Sequence, residues 1–505
     1  MDTNIIGTAV FVAAFLLNLG MFVILRQRPV VLYSDETVNL SDCLLRRSQL
    51  PPPYMFAHRP VMHALHRRLM KIFKDDIIRA GRAINFGFIV LHIAAVIVFL
   101  SRHYSYPIVM IAVSWWMTCG AALGTTVVRI ANFTERALGD LAVFSGFAAF
   151  LMTDPKLGVL MQIGAAAIFW AMVWHSSKFG VQAIVLVASA TFGLTGNWPL
   201  ILAVILSFGI SYALFGREVL HQLRDQLGHL SWYLKYGHYF LSHEARGNCP
   251  RNIPRWAWKI YNSVPSRHLF LLLPLSIPTV AAWLFFGPPR YSPMWGVTAA
   301  AILVSAVVVM GRAAVIGPSC RYLYVTGLPI IFADLLVYTP RIAEFLFVAD
   351  AGFGVVVGIL FAWRARKAAM DWNADLAELR WTFHPIETEQ INVVSDPIRI
   401  AEMIGAIVHL PRFRIATFGF SPKNVAFLGK YYPRYPALTS DSGKLRELIE
   451  EFDIEAVVVD KKVSSLSKIS AFESLGFSRT REGNRFLLLC LKSSDDIRPV
   501  PRWQR

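Results

Sequence analysis

Runs almost free of charge recur along the chain and constrain its fold more than any other feature. They fall at 5–25, 83–101, 106–128, 137–153, 157–174, 179–194, 198–215, 269–286, 294–311, 321–338 and 342–363. Crossing a hydrocarbon core takes ~20 apolar residues, and most of the runs come close to that, with 179–194 short. The pattern predicts an α-helical polytopic membrane protein with about 11 transmembrane helices. Composition agrees. The chain is 55% hydrophobic and 16% charged, against about 25% charged in an average soluble protein. That balance excludes a soluble globular enzyme, a coiled coil and a disordered chain. The first run, Ile5 to Leu25, holds 21 residues without a charge and no cationic segment precedes it, so it reads as a retained span and not a cleaved signal.

Three polar stretches, 26–82, 216–268 and 364–505, each follow an odd-numbered span. Parity therefore puts all three on one side of the membrane, and only tight turns such as Arg102–Ser105 and Thr339–Arg341 on the other. The room for chemistry is concentrated on one face, here termed the outer end of the helix bundle. Charge leaves the orientation open: the long loops are basic, but the positive-inside rule is weak for long folded loops, and the short turns carry Arg102, Lys156, Arg290 and Arg341. The net charge of +17 favours anionic headgroups or phosphate-bearing substrates. Nucleic acid is the weaker partner, because the bases are scattered among apolar segments. The five cysteines are dispersed and form no CxxC or Cys/His cluster, so no zinc site or disulfide framework is expected.

The chain divides into a membrane domain, 1–363, with outer loops 26–82 and 216–268, a connector at 364–400, and a small α/β domain at 401–505. In the tail, Arg414–Phe420 and Glu455–Asp460 read as short buried strands and Ser442–Phe452 as an amphipathic helix. A final hairpin, Phe477–Thr480 with Arg485–Lys492, turns at Glu482-Gly-Asn484.

Candidate chemistry lies mostly in the loops. The first loop holds Asp35 and Glu36, then His58-Arg59-Pro60, then a basic amphipathic stretch, Val61–Arg82, of the kind that lies in a membrane interface. The plain alternative for Asp35 and Glu36 is a helix start capped by Ser34. Glu135 and Asp140 open span 4, Lys178 opens span 6, and Arg321 opens span 10; solvated ends and interfacial anchors are the default for such positions. His243 and Arg246 lie in the second large loop. Asp334 and Asp350 fall inside spans, where an acid is either functional or paired to a neighbouring helix. Acids and cations converging on one face suit group transfer from a lipid phosphate. A carboxylate takes the proton of the acceptor hydroxyl, and cations stabilise the charge on the departing phosphate.

Taken in order along the chain, these residues resemble the GT-C superfamily of membrane glycosyltransferases, in particular relatives of protein mannosyltransferases and lipid A aminoarabinose transferases. The resemblance rests on Asp35-Glu36, His58-Arg59-Pro60, Arg79/Arg82, Glu135 (or Asp140), Lys178, His243/Arg246, and Arg321-Tyr322 running to Pro329, with the α/β tail beyond. Strong members carry Lys-Pro-Pro where this chain has His58-Arg59-Pro60. The resemblance implies a bacterial inner-membrane enzyme with an outward, periplasmic C-terminal domain. It would move a sugar from a polyprenyl-phosphate donor to a lipid, glycan or protein acceptor, with inversion. Asp35 would be the base or the carboxylate that orients the acceptor, and Glu36 and Glu135 would support it or bind the sugar. His58, Arg59, Asp140, Lys178, His243, Arg246, Arg321 and Tyr322 would bind substrate, with a divalent metal an open question. Two other classes compete: a lipid-linked saccharide transporter, and a non-catalytic envelope assembly protein.

Overall fold

The computed structural model describes residues 3–26, 60–74, 77–118, 136–230, 295–309, 319–349, 374–384, 391–400, 414–415, 422–433 and 437–491, apart from 225, 229 and 399. In the membrane part the helices are α1 (Thr3–Arg26), α2 (Pro60–Ile72), α3 (Ile77–Leu100), α4 (Tyr106–Thr118), α5 (Arg136–Met152), α6 (Val159–Ser176), α7 (Lys178–Thr195) and α8 (Pro199–Phe215). They continue with α9 (Trp295–Val309), α10 (Ser319–Thr326) and α11 (Leu328–Tyr338).

Three helices, Ile78–Leu100, Val159–Ser176 and Lys178–Thr195, are long and apolar enough to cross a membrane. Five shorter apolar helices, Asn4–Gly20, Tyr106–Thr118, Pro199–Phe215, Trp295–Val308 and Leu328–Tyr338, accompany them among the described residues. The run at 269–286 lies outside the described residues. The run at 321–338 is not one straight helix. It divides at Gly327, where Pro329 supplies no N–H to the preceding turn.

Leu160, Ile168, Ile205 and Leu214 are exposed on these helices. Such side chains on several elements form the surface that lipid covers, not one facing water. Hydroxyls inside the helices bond back to the preceding turn, as Thr191 does to the Val187 carbonyl at 2.7 Å and Ser114 to that of Met110 at 2.6 Å. No water is needed to satisfy them.

Contacts between helix ends show which helices start together. Gly7 lies against Pro107, and the Thr8 hydroxyl is 3.2 Å from that of Tyr106, so α1 and α4 start at the same end. Gly139 meets Ser177, which puts the starts of α5 and α7 together at the other end. The basic stretch Val61–Arg82, by contrast, is not one continuous helix. The amphipathic helix stops at Ile72, Lys74 takes a left-handed φ of 52°, and Arg79 and Arg82 belong to the first turns of α3.

The tail is a five-stranded sheet in the order β2-β1-β3-β5-β4, with β1 Asn392–Asp396, β2 Arg414–Ile415, β3 Ala456–Asp460, β4 Phe477–Glu482 and β5 Phe486–Leu491. β1 runs parallel to β2 and β3, while β5 is antiparallel to β3 and β4. The hairpin and the helix Ser442–Phe452 form where the sequence puts them. The boundary at 401 does not hold for the sheet. Its strand β1 comes from the stretch read as connector, and the helix at 374–384 packs on it. Of the expected strand Arg414–Phe420, the described part is Arg414–Ile415.

The central strands are buried on both faces, with the period of two setting which residues go where. Val394, Val457, Val459, Leu487 and Leu489 face the helices Pro422–Tyr431, Ser442–Phe452 and Leu466–Ser474. Val393, Ala456, Val458, Phe486 and Leu488 face the other way, into a cluster with Leu379 and Phe383, Met62 of α2, Ile84 of α3 and Leu138 of α5. Helix α2 is thus the spacer between the sheet and the outer end of the bundle, and the first loop and the tail share a side.

Candidate active site

The outer end is assembled around a close approach of two helices. Ser177, with extended backbone, ends α6 and caps α7 by accepting a hydrogen bond from the Gly180 N–H at 3.1 Å. A side chain at position 139 would put its Cβ 2.2 Å from that of Ser177, so only glycine lets α5 and α7 meet there. The residues next to this contact, Asp140 on α5 and Phe179 on α7, are brought to α10.

Arg321 is received between them. Its Nη2 donates to Asp140 Oδ1 at 2.6 Å, and its guanidinium carbon lies 3.8 Å from the centre of the Phe179 ring. Both charged side chains are almost fully buried, at 2% and 4% exposure. A buried charge without a counter-ion is costly, so each holds the other in place. The planar guanidinium uses its edge for the carboxylate and its face for the ring.

Beside this pair a cleft opens among α1, α3, α4, α5 and α10. Its walls are mainly apolar and aromatic, with Asn18, His92 and Asp140 as the polar lining. The His92 ring sits edge-on to Trp116 with centroids 5.1 Å apart, and Trp116 stacks on Tyr324 at 5.1 Å while donating its indole N–H to the Tyr324 carbonyl at 3.2 Å. An aromatic wall of this kind with a few polar groups is the usual make-up of a pocket for a mainly apolar ligand.

Of the residues singled out in the sequence, Asp140 and Arg321 form the ion pair, and Tyr322 is buried against Phe179 with ring centroids 4.7 Å apart. Tyr324, two positions on, is the tyrosine that lines the cleft. Lys178 is half-buried at the first residue of α7, next to Phe179. Asp35, Glu36, His58, Arg59, Glu135, His243, Arg246 and Asp350 lie outside the described residues. Sequence reasoning missed Phe179, Asn18, His92, Trp116 and Tyr324. Asn18 and His92 did carry a signal, as polar side chains inside otherwise apolar spans. Asp334 goes to the opposite end of the bundle, where it accepts a hydrogen bond from the Tyr104 hydroxyl at 2.6 Å.

Among the described residues no group of three His, Cys, Asp or Glu side chains could hold a metal ion. Asp140, the carboxylate of the cleft, is committed to Arg321, so the described part of the site does not fit a metal centre.

No protein-family model and no curated protein matches the sequence. Solved structures do match. The oligosaccharyltransferase of Archaeoglobus fulgidus, in a crystal structure with Zn and sulfate, superposes with a TM-score of 0.53 at 13% identity, over 89% of this chain and 68% of that one. AglB from the same organism, in complex with an inhibitory peptide and a dolichol-phosphate, gives 0.53 at 12% identity over 90% and 69%. ArnT from Cupriavidus metallidurans, bound to undecaprenyl phosphate, gives 0.50 at 13% identity over 95% and 97%. The fold is that of the GT-C membrane glycosyltransferases, as the resemblance in the sequence implied.

Proposed function

We propose that the chain is a membrane glycosyltransferase that moves a sugar from a polyprenyl-phosphate donor to an acceptor at the outer end of the bundle. One observation carries the reading: a buried carboxylate–guanidinium pair beside an aromatic cleft, on the end of the bundle that the first loop and the tail share. The apolar cleft suits an isoprenoid chain, and the cations around it suit a phosphate. In the proposed step the Asp35 carboxylate takes the proton of the acceptor hydroxyl as that oxygen attacks the anomeric carbon from the side opposite the phosphate. The bond from that carbon to the phosphate oxygen breaks, polyprenyl phosphate leaves with the electron pair, and the sugar is inverted. Glu36 and Glu135 support the base. Arg59, Lys178, Arg246 and Arg321 stabilise the departing phosphate, with His58 and His243 beside them. Asp140 holds Arg321 in position and faces the cleft, and Tyr322 backs Phe179 behind the pair. No step runs through a metal.

The fold of the spanning part, about 11 helices with the tail outside the cytoplasm, belongs to the same proposal. It is tested by single cysteines at positions 48 and 493 in a cysteine-free chain, probed with a membrane-impermeant thiol reagent on intact cells or spheroplasts. Labelling of both supports it, and protection of both inverts the topology. The reaction is tested with donor lipids extracted from membranes. Asp35→Asn should lower transfer on the order of 100-fold or more while expression and insertion stay normal. Undiminished transfer would remove Asp35 from the reaction.

A further inference from the structure

Helix α2 is packed on one side and bare on the other. At about 100° per residue, Met62, Leu65 and Leu69 share the arc that packs into the cluster between sheet and bundle. Arg67, Arg68 and Lys71 occupy the opposite arc and are exposed, and Lys74 is exposed in the turn that follows. Among the described residues none of these four cations makes an ion pair. At the same tip two large apolar side chains are also uncovered, Ile72 at 71% and Phe73 at 36% exposure.

The depth of this tip is set by chain connectivity. Only Asp75 and Asp76 separate Lys74 from Ile77, where α3 begins, a reach of at most roughly 10 Å. The tip therefore sits where α3 enters the membrane. In water, exposed apolar residues beside clustered cations satisfy neither half of the surface. At a headgroup layer the apolar side chains reach the acyl boundary and the cations meet lipid phosphates. Asp75 and Asp76 are the two acids of the stretch 60–82, against Arg67, Arg68, Lys71, Lys74, Arg79 and Arg82, so the local charge is positive.

We propose that the exposed side of α2, with the Ile72–Phe73 tip, is a docking surface for anionic phospholipid headgroups of the adjacent leaflet. Through the cluster on its other side, α2 then fixes the tail domain over the outer end of the bundle. The surface is independent of the transfer reaction.

The test uses the full chain in nanodiscs of phosphatidylcholine, with phosphatidylglycerol added in steps and the unfolding temperature read at each step. The expected result is a saturable rise with phosphatidylglycerol that disappears in about 0.5 M salt, where the screening length falls to a few Å. The triple variant R67Q/R68Q/K71Q should need on the order of 100-fold more phosphatidylglycerol, at roughly fivefold per charge removed. I72S/F73S should weaken the response severalfold. Both variants should unfold like the unmodified chain in pure phosphatidylcholine. An undiminished response in the triple variant would overturn the proposal. So would an equal rise with inorganic phosphate at matched ionic strength, which marks a plain anion site. A concentration-dependent dimer lost in the triple variant would assign the surface to a second copy instead. If the variants do not fold, a phosphatidylglycerol response of the unmodified chain that survives high salt is enough to overturn it.

Discussion

The two ends of the helix bundle each bury a carboxylate and neutralise it by different means. At the outer end Asp140 is matched by a full counter-charge, Arg321, held on an aromatic face and placed beside a cleft. At the inner end Asp334 is matched by a neutral hydroxyl, that of Tyr104 in the turn after α3. The inner pair ties a turn to a helix and needs nothing more. A buried ion pair gives little net stability compared with an apolar pair of the same size. Keeping one beside a cleft therefore argues for a use in chemistry, whereas the inner pair is explained by packing.

The largest effect should come from unbalancing the outer pair. Arg321→Ala leaves Asp140 buried without its counter-ion and should cost about 3–5 kcal/mol, read as a large fall in unfolding temperature in detergent. The double variant Asp140→Leu/Arg321→Met should recover most of that stability but no transfer activity. Recovery of transfer along with stability would show that the pair is structural, like its inner counterpart.

Next comes the contact that builds the pair. Gly139→Val drives a side chain into Ser177 and should cost about 1–3 kcal/mol, with transfer reduced as Asp140 shifts. Gly164→Ala on α6, where a Cβ meets nothing within 4 Å, should leave both unchanged. At the inner end Tyr104→Phe removes the hydroxyl that Asp334 accepts from and should cost about 1–3 kcal/mol. Transfer should be unaffected at a temperature where the variant is folded.

The smallest effect is a pH dependence of the inner turn. Partial burial, and then the neighbouring Arg102, lower the pKa of His103 below that of a free histidine, so the folded chain favours the neutral ring. As pH falls through about 6.5 the unfolded state takes up the proton first. Stability of the turn is therefore present at neutral pH and declines toward pH 5. Protection of the amides at 101–105, taken relative to the intrinsic exchange rate at each pH, should fall toward low pH, and His103→Gln should remove that dependence.

The parts of this arrangement legible in the sequence were those set by local pattern. Apolar runs gave the membrane class, parity gave the shared side of loop and tail, a short continuous apolar run gave β3, and the turn at Glu482-Gly-Asn484 gave the final hairpin. Asp140 and Arg321 were each picked out, but 181 residues separate them in sequence, and only the packing of three helices shows that they meet. Phe179 carried no signal, because an aromatic residue in an apolar span is ordinarily core. β1 was missed because Asn392–Asp396 is short and stands alone in a polar stretch; its partner β3 comes more than 60 residues later.

On the proposed function, the outer end of the bundle receives a lipid phosphate. The direct measurement is retention of undecaprenyl phosphate by the purified full chain, by native mass spectrometry, against undecaprenol of the same length. Saturable retention that requires the phosphate, and weakens in Lys178→Ala, is the predicted result. Equal retention of the two lipids, or of neither, would contradict it.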